Sequence, residues 1–250
     1  MNDDIERLDR ERWSSGEPSE SGDLRREWSV DRTECRITCC SADASALSAI
    51  VAREVAAAER LGYQLEWKTY EHDQLSDLPV ALRGAGFEAE PVEAVLVRTE
   101  PLVNPPRADA PAVRVVTDPD TDLVDLIAIW QATGRRGIDQ AVDTLRVQLR
   151  ECAVSVHIAY SGGEPASCGR LHYGTTPAFA ELAGGSTVPG LRCRGLYTEL
   201  VYSRLAEAFS RLRTAVYVDA LPTSAPILCG RGFRHVTNTR PYSYTPASIP

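Results

Sequence analysis

Six residues, Arg192-Cys193-Arg194-Gly195-Leu196-Tyr197, join a run with the character of a strand to a run with the character of a helix. No other feature constrains the chain as much. Upstream, Ala178 to Val188 alternates loosely around Glu181, Gly184 and Gly185, and Pro189-Gly190 closes the run as a turn does. Downstream, Leu196, Leu200, Val201, Leu205, Ala208, Phe209 and Leu212 recur at the three-and-four spacing of one helical face. A helix start leaves backbone N–H groups without intrahelical acceptors and carries partial positive charge, so an anion placed there meets donors and dipole together. Gly195 lets the backbone approach closely, and Arg192 and Arg194 add charge. The junction reads as a phosphate cradle, although the same pattern also makes an ordinary surface turn.

The residues that follow bear on that choice. Thr214 to Ala220 predicts a strand, Leu221-Pro222-Thr223 a turn, Ser224 to Arg231 a short helix, and Gly232-Phe233 the return into two further strands. This order resembles the second half of the GNAT acyltransferase superfamily. There a strand ending in Val-x-Pro leads to Gln/Arg-x-x-Gly-x-Gly/Ala at a helix start, and a Gly-Phe closes the next short helix. Thr187-Val188-Pro189, Arg192-x-x-Gly195-x-Tyr197 and Gly232-Phe233 carry the resemblance, which covers about residues 113–244. It implies an α/β fold with a mixed sheet and acetyl-CoA as co-substrate, its pyrophosphate resting on the backbone N–H groups around Arg194 to Tyr197. Thr187, Val188, Arg192, Cys193, Arg194, Gly195, Leu196, Tyr197 and Ser224 are the expected cofactor contacts, with a backbone N–H near Val188 polarising the thioester carbonyl.

The sequence departs from the family twice. Tyr197 stands where the motif has Gly or Ala, so its side chain must point away from the pyrophosphate. Leu228 stands where many members carry the tyrosine that protonates the departing thiolate, four residues before Gly-Phe.

Part of this pattern occurs earlier in the chain. Leu82-Arg83-Gly84-Ala85-Gly86-Phe87 matches Leu228-Cys229-Gly230-Arg231-Gly232-Phe233 in its leucine, both glycines and phenylalanine, at an offset of 146 residues. The same offset sets Gln64–Tyr70 near the strand at Thr214–Ala220, and the helix Ser45–Leu61 on the one after Gly195. Shifted by 146, Arg192 and Gly195 fall on Ala46 and Ala49, and the earlier helix opens on Asp43-Ala44-Ser45, a capping signal that repels phosphate. The expected organisation is a poorly ordered extension over residues 1–27, in which only Asp4 to Trp13 offers a helical pattern, a degenerate GNAT-like domain over 28–100, a linker over 101–111 marked by Pro101, Pro105, Pro106 and Pro111, and a complete domain over 112–250.

Composition excludes several classes. With 43% hydrophobic and 25% charged residues the chain is of ordinary globular type, and its net charge of −8 disfavours broad nucleic-acid binding. No stretch approaches the roughly 18 apolar residues of a membrane span, and the acidic start is unlike a secretory signal, so a cytoplasmic location is expected. The seven cysteines are scattered without a Cys-x-x-Cys or clustered histidines, so free thiols and no metal site are expected. A nucleotide-binding α/β domain would need a Gly-rich loop after its first strand, which is missing.

Acyl transfer needs a base for the amine, a polarised carbonyl and a proton for the thiolate. The resemblance implies Glu181 as the base, acting through water, with a solvated carboxylate as the plain alternative. His157 and His172 lie on predicted strands, where a lone histidine is usually structural. Cys229, Tyr197 and Tyr242 are the available proton donors, and none stands out. Ser224 serves either the pantetheine arm or helix capping. The arginines of Thr133-Gly134-Arg135-Arg136-Gly137 belong to an acceptor cleft or to a solvated loop. The expected partner is a small-molecule or protein amine, with a second copy of the chain as an open option. Turnover as an N-acyltransferase competes with a CoA-binding sensor or structural role that has lost catalysis.

Overall fold

The structure, a computed structural model, describes residues 3–101, 110–120, 123–174, 176 and 178–247. Most of the expected linker, residues 102–109, lies outside the described residues. The chain divides into two compact units. One holds residues 1–96 and 219–250, the other 97–218.

The first unit runs through α1 (Asp3–Ser14), β1 (Glu17–Pro18), β2 (Leu24–Trp28), β3 (Glu34–Cys40), α2 (Leu47–Leu61), β4 (Gln64–Tyr70), α3 (Leu78–Gly84), β5 (Glu88–Ala89) and β6 (Glu93–Arg98). The second contains β7 (Val113–Val115), α4 (Leu123–Ala132), α5 (Ile138–Arg150), β8 (Val154–Ser161), β9 (Glu164–Tyr173), β10 (Phe179–Thr187), α6 (Leu196–Ser210) and β11 (Ala215–Ala220), which carries the chain back to the first unit. There α7 (Ala225–Cys229) and β12 (Arg234–Tyr244) complete it. The fold is mixed α/β, as expected. Among the described residues no helix is long and apolar enough to cross a membrane.

Three expectations need correction. Residues 3–27 are not a disordered extension; the helix at Asp4 to Trp13 is present as α1. Leu8 of α1 is 2% exposed, and the Arg12 guanidinium reaches the Thr38 carbonyl at 2.8 Å, Asp9 at 2.7 Å and Asp73 at 3.2 Å, above the Tyr70 ring. A buried, fully engaged arginine offsets the ordering cost of a helix that its own composition would not hold. Next, residues 219–250 belong to the first unit, not to a self-contained 112–250 domain: β12 pairs antiparallel with β4 from Thr239↔Tyr70 to Tyr244↔Leu65. Lastly, Arg234–Tyr244 is one continuous strand rather than two.

The chain runs twice through a β–α–β–α succession. β3 and β4 pair in parallel around α2, followed by α3; β10 and β11 pair in parallel around α6, followed by α7, which lies in the first unit. The two successions are therefore related element by element. The spacing is not uniform, however. α2 and α6 are both 15 residues long and open 149 residues apart, at Leu47 and Leu196, so Ala46 corresponds to Gly195 and Asp43 to Arg192. Both correspondences differ by three residues from those given by the Gly-Phe offset, because the loop after β11 is shorter than the one after β4. Asp43 opens a 3-10 turn without a side-chain capping bond.

In the first unit Leu24, Ile37, Leu47, Val51, Leu65, Trp67, Leu78 and Leu82 form the core. In the second, the sheet carries helices on both faces. Val154, Val156, Ile158 and Cys168 pack against Leu123, Leu126, Ile129 and Trp130 of α4 and Val142 and Leu145 of α5, while Ala159 and Ala166 meet Leu196 and Leu200 of α6. The α6 stripe follows the sequence pattern, except that Leu212 lies beyond the helix, 82% exposed at φ 60°.

Replacing Leu8 by alanine should cost about 2–4 kcal/mol of stability, the usual range for a buried leucine. Denaturant unfolding with an unchanged midpoint would show instead that α1 does not dock.

Candidate functional site

β10 is the backbone of the site. It pairs with β11 only from Phe179↔Ala215 to Glu181↔Tyr217, and from there on its pairing continues with β9 alone. The β9 register slips between Ala183 and Ser186, leaving Gly184 and Gly185 as a bulge. The two glycines admit two neighbours. A Cβ on Gly184 would lie 2.8 Å from Arg170 Nε, and one on Gly185 would lie 2.8 Å from Cε2 of Tyr197. Tyr197 therefore sets the edge of its ring against Gly185 in the bulge, which is how a large residue is accommodated at a motif position occupied by Gly or Ala in the family.

Beyond β10, a 3-10 turn over Pro189–Leu191 leads to Cys193 at φ 63° and Gly195 at φ 80°, the left-handed N-cap of α6. The first α6 bond runs from Glu199 N–H to Gly195 C=O, so the N–H groups ahead of Glu199 precede the intrahelical ladder. An added Cβ on Gly195 would meet nothing within 4 Å, so this face of the turn is open. Arg192, Cys193 and Arg194 are exposed. Arg192 Nε donates to the Thr187 carbonyl at 3.3 Å and Arg194 Nη2 to the Gly190 carbonyl at 3.4 Å, so both guanidiniums are tied to the turn they flank. Leu196 is buried beneath it.

The N–H of Val188 itself donates to the Ala166 carbonyl at 2.9 Å, so a backbone donor to a thioester near Val188 would have to come from a neighbouring residue. Thr187 Oγ1 pairs with Ser167 Oγ at 2.7 Å.

Glu181 is half-buried, on the face of the sheet that α4 and α5 cover. It lies directly across from His172 on β9 and Tyr217 on β11, and Tyr217 Oη donates to Glu181 Oε2 at 3.2 Å. This row of three side chains escaped sequence reasoning, because register across three strands cannot be read from spacing.

Ser224 and Cys229 belong to the first unit, and the turn belongs to the second. Ser224 occupies the N-cap position of α7 but donates to the Leu221 carbonyl at 3.1 Å instead of capping. Cys229 is exposed. Tyr242 is 2% exposed and takes a hydrogen bond from Arg83 at 3.4 Å, and Leu228 is fully buried.

His157 is also withdrawn from chemistry. It is 0% exposed, with Nε2 2.7 Å from Glu207 and Nδ1 2.8 Å from Ser203 Oγ. Burial pulls its pKa below the usual range, against the pull of Glu207, so the neutral ring donates Nε2–H to the carboxylate and accepts the Ser203 hydroxyl at Nδ1. Burial works to raise the Glu207 pKa, but hydrogen bonds from His157, Ser155 and Tyr173 outweigh it and hold it at about 2. In the first unit, Asp9, His72 and Asp73 lie within reach of one another as metal ligands do. The Arg12 guanidinium already sits on both carboxylates.

No family model and no curated protein matches the sequence. Solved structures do. A GCN5-related N-acetyltransferase from Kribbella flavida superposes with a TM-score of 0.68 at 15% identity, over 94% of this chain and 92% of that one. A tandem GNAT protein from the clavulanic acid biosynthesis pathway gives 0.58 at 15% identity, over 89% and 78%. An acetyltransferase of the GNAT family from Novosphingobium aromaticivorans gives 0.58 at 18%, over 92% of each chain. At these identities the likeness is one of fold, and it spans nearly the whole chain.

The Glu207 network sets an acid limit on stability. Its folded pKa lies below the unfolded value of about 4.3, so its contribution is complete above that value and is lost as pH falls through about 2. His157, neutral in the fold, takes up a proton on unfolding below about pH 6.5, which acts in the same direction. Glu207→Gln should therefore be less stable than the parent at pH 7, with the gap closing towards pH 2 in denaturant titrations. A gap that stays constant across that range would contradict the assignment.

Proposed function

We propose that this chain, which has the GNAT fold in a two-unit arrangement, transfers an acetyl group from acetyl-CoA to an amine, and that residues 97–218 carry the donor site. The observation that carries the reading is the combination at the end of β10. The strand leaves β11 after Glu181, and the next turn opens α6 on left-handed Cys193 and Gly195 between two exposed arginines. The parting strands supply an edge for the pantetheine arm, and the helix start supplies N–H donors and positive charge for the pyrophosphate. Arg192 to Tyr197 are the proposed pyrophosphate contacts, with Thr187 beside them. Acetyl-CoA is the co-substrate to be expected from the fold likeness.

Glu181 is the proposed base. Its position on the α4/α5 face, at the residue where β10 and β11 part, supports access to an amine held under α4 and α5. It would take the proton from an ammonium acceptor, directly or through water, leaving the nitrogen lone pair free to attack the thioester carbonyl. The first unit, with Ala46 at the N-cap of α2 and Asp43 in place of Arg192, lacks the features that favour an anion and is proposed to be silent.

One observation favours a second reading. Leu228 is buried where the resemblance calls for a thiolate-protonating tyrosine, which suits a protein that binds acyl-CoA without turning it over.

Calorimetric titration with acetyl-CoA separates the proposed site from its silent counterpart. Arg194→Glu and Gly195→Trp should each weaken binding about tenfold or more, and Ala46→Glu should not. Equal losses from both units would contradict the assignment. With a verified amine, Glu181→Gln should lower turnover by about a hundredfold at neutral pH with donor affinity retained, and should approach the parent above the amine's own pKa. Full activity at neutral pH would make Glu181 a bystander, and loss of transfer by the parent itself would favour the binding protein.

A further inference from the structure

The first unit carries a cleft that the proposed acyl transfer does not use. On β4 and β12, Trp67 and Tyr242 lie directly opposite one another and are both buried, packed with Leu78 and Leu82 of α3. Side chains alternate along a strand, so Thr69 and Arg240, the opposed pair two residues further on, leave the sheet on that same face. Beside them, at the first turn of α3, lies a cleft of about 300 Å³ with Leu75, Leu78, Pro79 and Val92 in its walls. Its rim is tied down. Asp73 accepts from Nη1 and Nη2 of Arg12 at 3.2 Å each and from the Tyr70 N–H at 3.3 Å, and the Leu78 N–H donates to the Leu75 carbonyl at 3.1 Å. The cleft is therefore preformed, as most small-molecule sites are.

Of the three charged residues in the lining, two are engaged. Asp73 is held by Arg12, and Glu71 accepts from Asn238 Nδ2 at 2.9 Å. The third, Arg240, is half-buried, and among the described residues its guanidinium meets no acceptor, carboxylate or ring. Arg12 and Arg26 of the same unit, by contrast, reach carboxylates at 2.7 Å. A cation that has given up part of its hydration without gaining a counter-ion keeps its attraction for an anion, and the planar fork of arginine matches a carboxylate. Tyr242 adds a second donor in the lining. Its hydroxyl accepts from Arg83 Nη1 at 3.4 Å, while its own proton has no acceptor among the described residues.

We infer that this cleft binds a small organic monocarboxylate, with the carboxylate on Arg240 and the apolar body against Leu75, Leu78, Pro79 and Val92. Every residue involved belongs to the first unit, so the inference stands whether or not the second unit transfers acetyl groups. Size, charge and lining narrow the ligand. The volume lies at the lower end of the range for ligand pockets, which suits a small metabolite and not a nucleotide cofactor. One cation matches one negative charge, and the carboxylates of Glu71 and Asp73 in the same lining oppose a dianion such as phosphate. The apolar wall gains only from a ligand with hydrocarbon beside its carboxylate. A unit proposed to be silent towards acetyl-CoA thereby has a ligand of its own.

Amide NMR of the full-length protein at neutral pH tests this with phenylacetate and hexanoate, with the uncharged phenylacetamide and hexanamide, and with inorganic phosphate. Probes of this size should bind with a Kd on the order of 1 mM. Both carboxylates should shift the backbone N–H signals of Thr69, Leu75, Ser76 and Arg240 and leave Cys193 to Tyr197 in place, and the uncharged probes and phosphate should shift neither set. Arg240→Gln should weaken binding about tenfold or more, whereas Arg240→Lys, which keeps the charge, should retain most of it. Val92→Trp, which fills the cleft and leaves Arg240 intact, should abolish it. β12 pairs with β4 through its main chain, so the Arg240 variants keep the strand, and the spectra show directly that they are folded. Four results would each overturn the inference: no shift at these residues with either carboxylate at about 20 mM, well above the expected Kd; equal shifts with the uncharged probes or phosphate; shifts centred on Cys193 to Tyr197 instead; or an Arg240→Gln variant that binds as the parent does.

Discussion

The second unit depends on how β10 is held. On one side it pairs with β9 along nearly its whole length, interrupted at Gly184–Gly185, and on the other it pairs with β11 for only three residues. Backbone hydrogen bonding is obligatory in a buried sheet, so a strand that gives up one partner after Glu181 needs another use for that edge. The bulge answers a second need. Without side chains at Gly184 and Gly185, Arg170 and Tyr197 approach the backbone itself, and the strand can turn towards α6. The open edge, the bulge and the left-handed turn are successive consequences of one stretch, Glu181 to Gly195.

Charge and glycine placement distinguish the two helix starts. Where α6 opens, the chain places Arg192 and Arg194 around a glycine N-cap; where α2 opens, it places Asp43 ahead of an alanine N-cap. The backbone succession is the same in both, and so is the helix length. A helix start attracts an anion in either unit, but only one start adds positive charge and an open approach. The difference between the proposed donor site and the copy proposed to be silent therefore comes down to a handful of side chains on a shared scaffold.

Much of this was legible in the sequence, for a definable reason. The α6 stripe, the strands at Gln64–Tyr70 and Ala215–Ala220, and the turn at Arg192 to Tyr197 are local patterns, each fixed by residues within a few turns of one another. What stayed hidden depends on distant pairings. Arg12 has the look of a residue from a charged, solvated segment until Thr38 and Asp73 come to it; β12 has the look of the end of the second domain until it pairs with β4. Arg204 falls on the buried face of a helix where the pattern asks for an apolar residue, and only the glycine at position 169 of another strand explains how it fits. His157 drew interest as a base by residue type alone, and its burial against Glu207 and Ser203 assigns it to structure.

The central claim is that acetyl-CoA binds at the end of β10 and the start of α6, and amide NMR of the uniformly labelled full chain during titration with acetyl-CoA tests it most directly. The account predicts the largest shift changes at Cys193, Arg194, Gly195, Leu196 and Tyr197, continuing into Gly184 and Gly185, while Ala44 to Ala49 at the start of α2 stay in place. Changes centred on Ala44 to Ala49, or spread evenly over both helix starts, would contradict it.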